Sequence, residues 1–141
     1  QAGGKITGIL PRFMDELEWG HSGLTCLQRV KDMRERKRRM LRDTDAVVSL
    51  PGGCGTLEEL FEVITLKRLG LYFQPIILLD TRNYFTPLGA YLQYSIDEHF
   101  MNPEHAMMWQ RVAQPQEVLP AIHGTPAWRK DARLVTAVRP D

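Results

Sequence analysis

Residues 51 to 59 read Pro51-Gly52-Gly53-Cys54-Gly55-Thr56-Leu57-Glu58-Glu59, between the apolar run Ala46-Val47-Val48-Ser49-Leu50 and a stretch with apolar residues at Leu57, Leu60, Phe61 and Ile64. A strand, a glycine turn and a helix start in that order make a place to hold a phosphate. Glycine lets the backbone approach an anion closely, and the first turn of a helix offers free N–H groups and the positive end of its dipole. Gly52, Gly53, Gly55 and Thr56 are therefore candidate phosphate contacts. Thr56 and Glu59 also stand in Thr-x-x-Glu order, the signature of a capping box in which each side chain satisfies a backbone N–H of the other residue. The competing role for Glu59 is catalytic, and the glycines, each with an entropy cost that capping does not require, shift the weight towards ligand chemistry.

A second group lies upstream. Met33, Arg36, Lys37 and Met40 recur at i, i+3, i+4 and i+7, so on a helix two cations share a face with two methionines, while Arg34, Arg38, Arg39 and Arg42 spread over the rest. Cations framed by apolar side chains suit a cleft that fixes a phosphate or carboxylate, with arginine as a bidentate fork and lysine as a point charge. The bland alternative is a surface helix whose long side chains snorkel over apolar neighbours. Nucleic-acid binding through residues 34–42 is not expected, because 18 basic and 17 acidic residues leave a formal charge of only +1.

The remaining polar residues are read structurally. Cys54 has no histidine placed near it in sequence to act as a base, so it is taken as a spacer rather than a nucleophile. His21, His99, His105 and His123 show no ligand spacing with one another or with Cys26 and Cys54, so no metal site is expected. Asp80, Asp97 and Glu98 are read as caps or solvated charges, and Tyr72, Phe73, Tyr84 and Phe85 as core, with a cleft for a planar base as the alternative.

These residues need elements to hold them. The pattern predicts strands over 5–10, 25–30, 46–50, 75–79 and 108–112. Helices are predicted over 33–42, 57–69 with Gly70 as a stop, 87–100 and 116–122, and a polar connection through Trp19, Gly20 and His21. On the 57–69 helix the expected core face is Leu57, Leu60, Phe61 and Ile64. Glu59 lies nearly opposite, beside a second apolar strip of Val63 and Leu66, and that strip is expected to meet a second subunit or to be sandwiched within one chain. Apolar strands alternating with amphipathic helices indicate a doubly wound parallel α/β sheet, Rossmann-like, with ligands beyond the carboxyl ends of the strands. One domain over 1–124 and a tail over 125–141 are expected. Gln1 to Pro11 reads as a helix end, a glycine stop and a strand already under way, so the N-terminal strands of the sheet are expected to lie upstream of this chain.

No stretch approaches the roughly 20 apolar residues that span a bilayer, so no membrane association is expected. Two cysteines far apart in sequence fit a reducing, cytoplasmic setting.

Met33-x-x-Arg36-Lys37-x-x-Met40 followed by Pro51-Gly52-Gly53-Cys54-Gly55-Thr56-Leu57-Glu58-Glu59 resembles the paired motifs of the phosphoribohydrolase family typified by the cytokinin-activating enzyme Lonely guy, many of whose members carry the label "possible lysine decarboxylase". Gly8-Ile9-Leu10-Pro11 is similar to that family's Gly-x-x-Pro strand end, and the likeness runs from about Gly3 to Met101. The resemblance implies a Rossmann-like homodimer or larger homo-oligomer, without metal or cofactor. Such a protein hydrolyses the N-glycosidic bond of an adenine-type nucleoside 5'-monophosphate (AMP or an N6-substituted AMP), releasing free base and ribose 5-phosphate. It further implies Arg36 and Glu59 as the catalytic pair, Lys37 assisting, and Gly52, Gly53, Gly55 and Thr56 at the phosphate. The alternative is a non-catalytic nucleotide-binding or carrier module on the same fold. Lysine decarboxylation is not expected, since pyridoxal chemistry needs a Schiff-base lysine and a pyridinium partner to which nothing in the chain points.

Overall fold

The computed structural model describes residues 3–16 and 21–132. They form two compact units, one within residues 1–44 and one within 45–141.

In the first unit, strand β1 (Thr7–Pro11) leads directly into a short helix α1 (Arg12–Glu16), and strand β2 (Cys26–Val30) leads into helix α2 (Met33–Leu41). The strands pair in parallel from Thr7 opposite Cys26 to Pro11 opposite Val30. Their ends are tied by Thr25, whose Oγ1 accepts from the Ile6 N–H at 3.0 Å. Helix α1 falls where a polar connection was expected. A five-residue helix is little more than one turn and leaves no periodic apolar signal to read. Trp19 and Gly20, placed in the same connection, lie outside the described residues. Helix α2 packs on both strands. It begins where it does because the Asp32 carboxylate accepts from the Glu35 N–H at 2.8 Å, while the Glu35 carboxylate accepts from the Lys31 N–H at 2.9 Å and from Arg39 at 2.7 Å.

The second unit is built on three parallel strands, β3 (Val47–Ser49), β4 (Ile76–Leu79) and β5 (Gln110–Val112), with β4 between the other two. Ile76, Ile77, Leu78 and Leu79 are all buried, so the central strand is an unbroken apolar run rather than an alternating one. Helix α3 (Cys54–Arg68) connects β3 to β4, and helix α4 (Thr86–Asp97) with a 3-10 segment (Pro103–Met108) connects β4 to β5. A 3-10 turn (Pro115–Glu117) then opens the last helix α5 (Val118–Gly124), which packs on β4 and β5. Parallel strands joined through helices make this the Rossmann-like α/β arrangement that the pattern predicts. Met108, expected in the last strand, instead ends the 3-10 segment with its side chain fully buried.

Helix α3 departs from expectation twice. It starts at Cys54 rather than Leu57, with Gly53 as its N-cap and no side-chain cap, so Thr56 lies inside the first turn and the Thr56/Glu59 capping box is not formed. Its core face is Leu60, Val63, Ile64 and Lys67, while Phe61 is 38% exposed. Of the expected second strip of Val63 and Leu66, Val63 is thus core within the chain, at 0% exposure, and Leu66 is half-buried. The helix stops as expected at Gly70, whose φ of 66° is costly for residues with a Cβ. There the Gly70 N–H donates to Lys67 O and the Leu71 N–H to Leu66 O, closing the last turn.

Lys67 reaches the core because its charge is satisfied locally. Its Nζ donates to Gln74 O at 2.9 Å and lies 5.7 Å from the centre of the Trp128 ring, and burial pushes its pKa down to about 8. Trp128 in turn donates from Nε1 to Lys67 O at 2.8 Å, so the start of the 125–141 stretch is anchored on α3. Residues 133–141 of that stretch lie outside the described residues. His105 is structural, as read: it is fully buried, its Nδ1 accepts from the Asn102 N–H at 3.0 Å, and burial lowers its pKa. Among the described residues no helix is long and apolar enough to cross a membrane.

Candidate functional site

In the second unit the glycine loop runs off the carboxyl end of β3, where Ser49 is buried, Leu50 is 57% exposed and the chain turns at Pro51 into α3. Gly52 is required by packing, because a Cβ there would run into the Thr56 hydroxyl. Gly53 and Gly55 have no such constraint: a Cβ on either would meet open space. The N–H groups of Cys54, Gly55 and Thr56 open the helix without intrahelical acceptors. One strand, one turn and one helix thus bring Gly52, Gly53, Gly55 and Thr56 together, with half-buried Glu59 one turn further along α3. Cys54 is exposed and unpaired, as is Cys26.

The neighbouring loop, after β4, touches this one. Tyr84 donates its hydroxyl hydrogen to Gly52 O at 2.5 Å. Tyr84 can do so because the chain between β4 and α4 is folded tightly: Arg82 and Asn83 both sit in the left-handed region, at φ 55° and 60°. Asp80, 8% exposed, accepts from the Phe85 N–H through Oδ1 and from the Thr86 hydroxyl through Oδ2, at 3.2 Å. Arg111 on β5 reaches the same Oδ2 at 3.4 Å and Thr86 at 3.2 Å. Asp80 thus stands at the N-cap position of the 3-10 turn Thr81–Asn83 but makes no side-chain cap bond there: it is a buried carboxylate that ties the turn to Arg111, not the solvated or capping charge that was expected. Of the four aromatics weighed as core or cleft, Tyr72 and Phe85 are core, whereas Phe73 and Tyr84 are 41% and 47% exposed. The contact of Tyr84 with the glycine loop is the part that sequence reasoning missed. Its local signal is an Asn before the tyrosine, since Asn tolerates the left-handed region better than most residues.

In the first unit, Met33, Arg36, Lys37 and Met40 are all half-buried while Arg34, Arg38 and Arg39 are exposed, which is the division the spacing predicts. Arg36 is held from behind: its Nε donates at 3.0 Å to the carbonyl oxygen of Ile9, the middle residue of β1. Arg36 and Met40 line a cleft of about 450 Å³ together with Gly8, Leu10, His21 and Leu24. Arg36 and Lys37 belong to the first unit, Glu59 and the glycine loop to the second. Among the described residues no group of three or more His, Cys, Asp or Glu side chains is placed to hold a metal ion.

Parallel strands joined through helices, with a glycine loop at a strand end, define the class of this chain as a Rossmann-like α/β protein. Comparison with known sequences narrows it. The chain belongs to the protein family described as "possible lysine decarboxylase", which matches residues 1–122. Over 103 residues it is 42% identical to the cytokinin riboside 5'-monophosphate phosphoribohydrolase of Rhodococcoides fascians, covering 72% of this chain and 52% of that protein. Over 119 residues it is 34% identical to an Arabidopsis thaliana protein of the same name, covering 84% of this chain and 52% of the relative. The chain spans about half the length of the curated relatives it matches.

Proposed function

We propose that the protein hydrolyses the N-glycosidic bond of an adenine-type, cytokinin-like nucleoside 5'-monophosphate, AMP or an N6-substituted AMP, as a homodimer or larger homo-oligomer in a cytoplasmic setting. Free base and ribose 5-phosphate are the products. The observation that carries the proposal is the start of α3, where a glycine stands at the N-cap with no side-chain cap bond and a Cβ on Gly53 or Gly55 would meet open space. An anion is the partner such a helix end favours. The names of the relatives, each a 5'-monophosphate phosphoribohydrolase, supply the substrate class.

With the phosphate on Gly52, Gly53, Gly55 and Thr56, the ribose extends along α3 towards Glu59. As the bond from the anomeric carbon to the base nitrogen breaks, its electron pair leaves with the base and positive charge builds on the ribose. The Glu59 carboxylate stabilises that charge and accepts a proton from the water that adds to the anomeric carbon; a proton then passes to the base nitrogen, so that neutral base leaves and the carboxylate is regenerated. Arg36, whose Nε donates to Ile9 O, is the proposed catalytic partner of Glu59, with Lys37 as a cationic contact to the substrate, whose phosphate binding energy positions the ribose. Lysine decarboxylation is not proposed: the most buried lysine, Lys67, is committed to Gln74 O and the Trp128 ring in the core.

The test is release of free base from AMP or an N6-substituted AMP by the full-length protein. Glu59→Gln is expected to lower kcat by about 10²–10⁴-fold while KM changes little. Undiminished turnover in that variant removes Glu59 from the mechanism. Tight nucleotide binding with no base released over hours selects a non-catalytic carrier instead.

A further inference from the structure

We propose that Tyr84 is a positioning residue that sets the height of the glycine loop, and so tunes phosphate affinity, without touching the substrate. The proposal rests on the reading of that loop as the phosphate site. Gly52 is the only loop glycine that is packed, and it is held on two sides: Thr56 occupies the space where a Cβ would stand, and the Tyr84 hydroxyl donates to its carbonyl oxygen. A carbonyl fixed by a donor turns its peptide plane, and with it the direction of the N–H of the next residue, Gly53. The loop's donors are thereby oriented before any anion arrives.

The anchor of this contact is not the loop itself. Tyr84 is carried by two successive non-glycine residues in the left-handed region, an arrangement that persists only where its surroundings impose it. Those surroundings are the buried Asp80 carboxylate, its bonds to the Phe85 N–H and the Thr86 hydroxyl, and Arg111 across from β5. Phe85 behind Tyr84 is 1% exposed and meets it edge-on at 5.2 Å. The side chain of Tyr84 is thus fixed at its root in the core, while its half-exposed tip reaches the glycine loop.

The experiment compares wild type, Tyr84→Phe, Asn83→Gly and Asn83→Val in base release from AMP, with product inhibition by ribose 5-phosphate and by adenine. Tyr84→Phe is expected to raise KM for AMP and Ki for ribose 5-phosphate together, by about 3- to 10-fold, the worth of one hydrogen bond. Its kcat and Ki for adenine, which lacks a phosphate, stay at wild-type values. Asn83→Gly keeps the left-handed turn and wild-type KM, whereas Asn83→Val, a β-branched residue there, raises KM. Wild-type KM in Tyr84→Phe overturns the positioning role and leaves the enzyme assignment standing, as does an equal loss towards adenine. A wild-type protein that neither binds nor cleaves AMP overturns the phosphate reading and this proposal with it.

Discussion

Lys67 illustrates how one residue can hide a face of a helix from the reader of its sequence. Leu60, Val63, Ile64 and Lys67 make a complete i, i+3, i+4, i+7 stripe, but its last member is a lysine, so the apolar pattern points towards Phe61 instead. Only the carbonyl of Gln74 and the ring of Trp128, both supplied by tertiary structure, make the lysine admissible in the core. The arrangement has a measurable signature in pH. Burial places the folded pKa near 8, below the ordinary lysine value of 10.5, so between those values the unfolded chain binds a proton that the native state has released. Stability therefore rises as pH climbs through 8 towards 10. The neutral amine still donates to Gln74. Against Lys67→Met, whose stability lacks this component, wild type should gain up to about 3 kcal/mol in chemical unfolding between pH 7 and 10. A difference that stays flat over that range would show that the amine is not held in a desolvated state.

At the scale of elements, what was legible and what was not divide along physical lines. The half-buried Met33, Arg36, Lys37, Met40 face of α2 was legible because a helix on a sheet must turn its apolar residues inwards, and the spacing alone fixes which cations travel with them. The stop at Gly70 was legible for an equally local reason. The start of α3 was not: Thr-x-x-Glu imitates a capping box, and nothing local says that Gly53 caps the helix three residues earlier. Helix α2, by contrast, has an authentic side-chain cap. Asp32→Ala removes the acceptor of the Glu35 N–H and should destabilise the fold by about 1 kcal/mol, read as a lower denaturant midpoint with an unchanged slope. Glu35 adds a pH dependence. The Lys31 N–H, and then Arg39, hold its carboxyl below the usual glutamate value, so its contribution is complete above about pH 4.5 and fades as pH falls through the lowered pKa. Acid titration of Glu35→Gln should show less loss over that interval than wild type.

On the scale of the whole molecule, the proposed homo-oligomer would place a second copy against the apolar surface that α3 leaves exposed. The expected apolar strip beside Glu59 changed identity, since Val63 is core, but α3 and its C-terminal end keep exposed apolar side chains elsewhere. Phe61 on α3 is 38% exposed, and Leu69 and Leu71 at its end are 38% and 56% exposed. A second copy is the partner proposed to cover them. Sedimentation at micromolar concentration should give a dimer or larger species, and Phe61→Glu should shift the population towards monomer with a matching fall in kcat/KM. A wild-type monomer with full activity would remove the second subunit from the site.

The indole of Trp128 has a consequence of another kind, one of order in time. The carbonyl it caps belongs to Lys67, 61 positions earlier in the chain. A ribosome adding about 5–20 residues per second needs roughly 3–12 s to travel that distance. For those seconds the helix that begins at the glycine loop exists, if at all, with its last turn uncapped by the indole and its lysine without an aromatic cover. The helix proposed to bear the reaction is therefore among the first parts of the second unit to be synthesised and among the last to be finished.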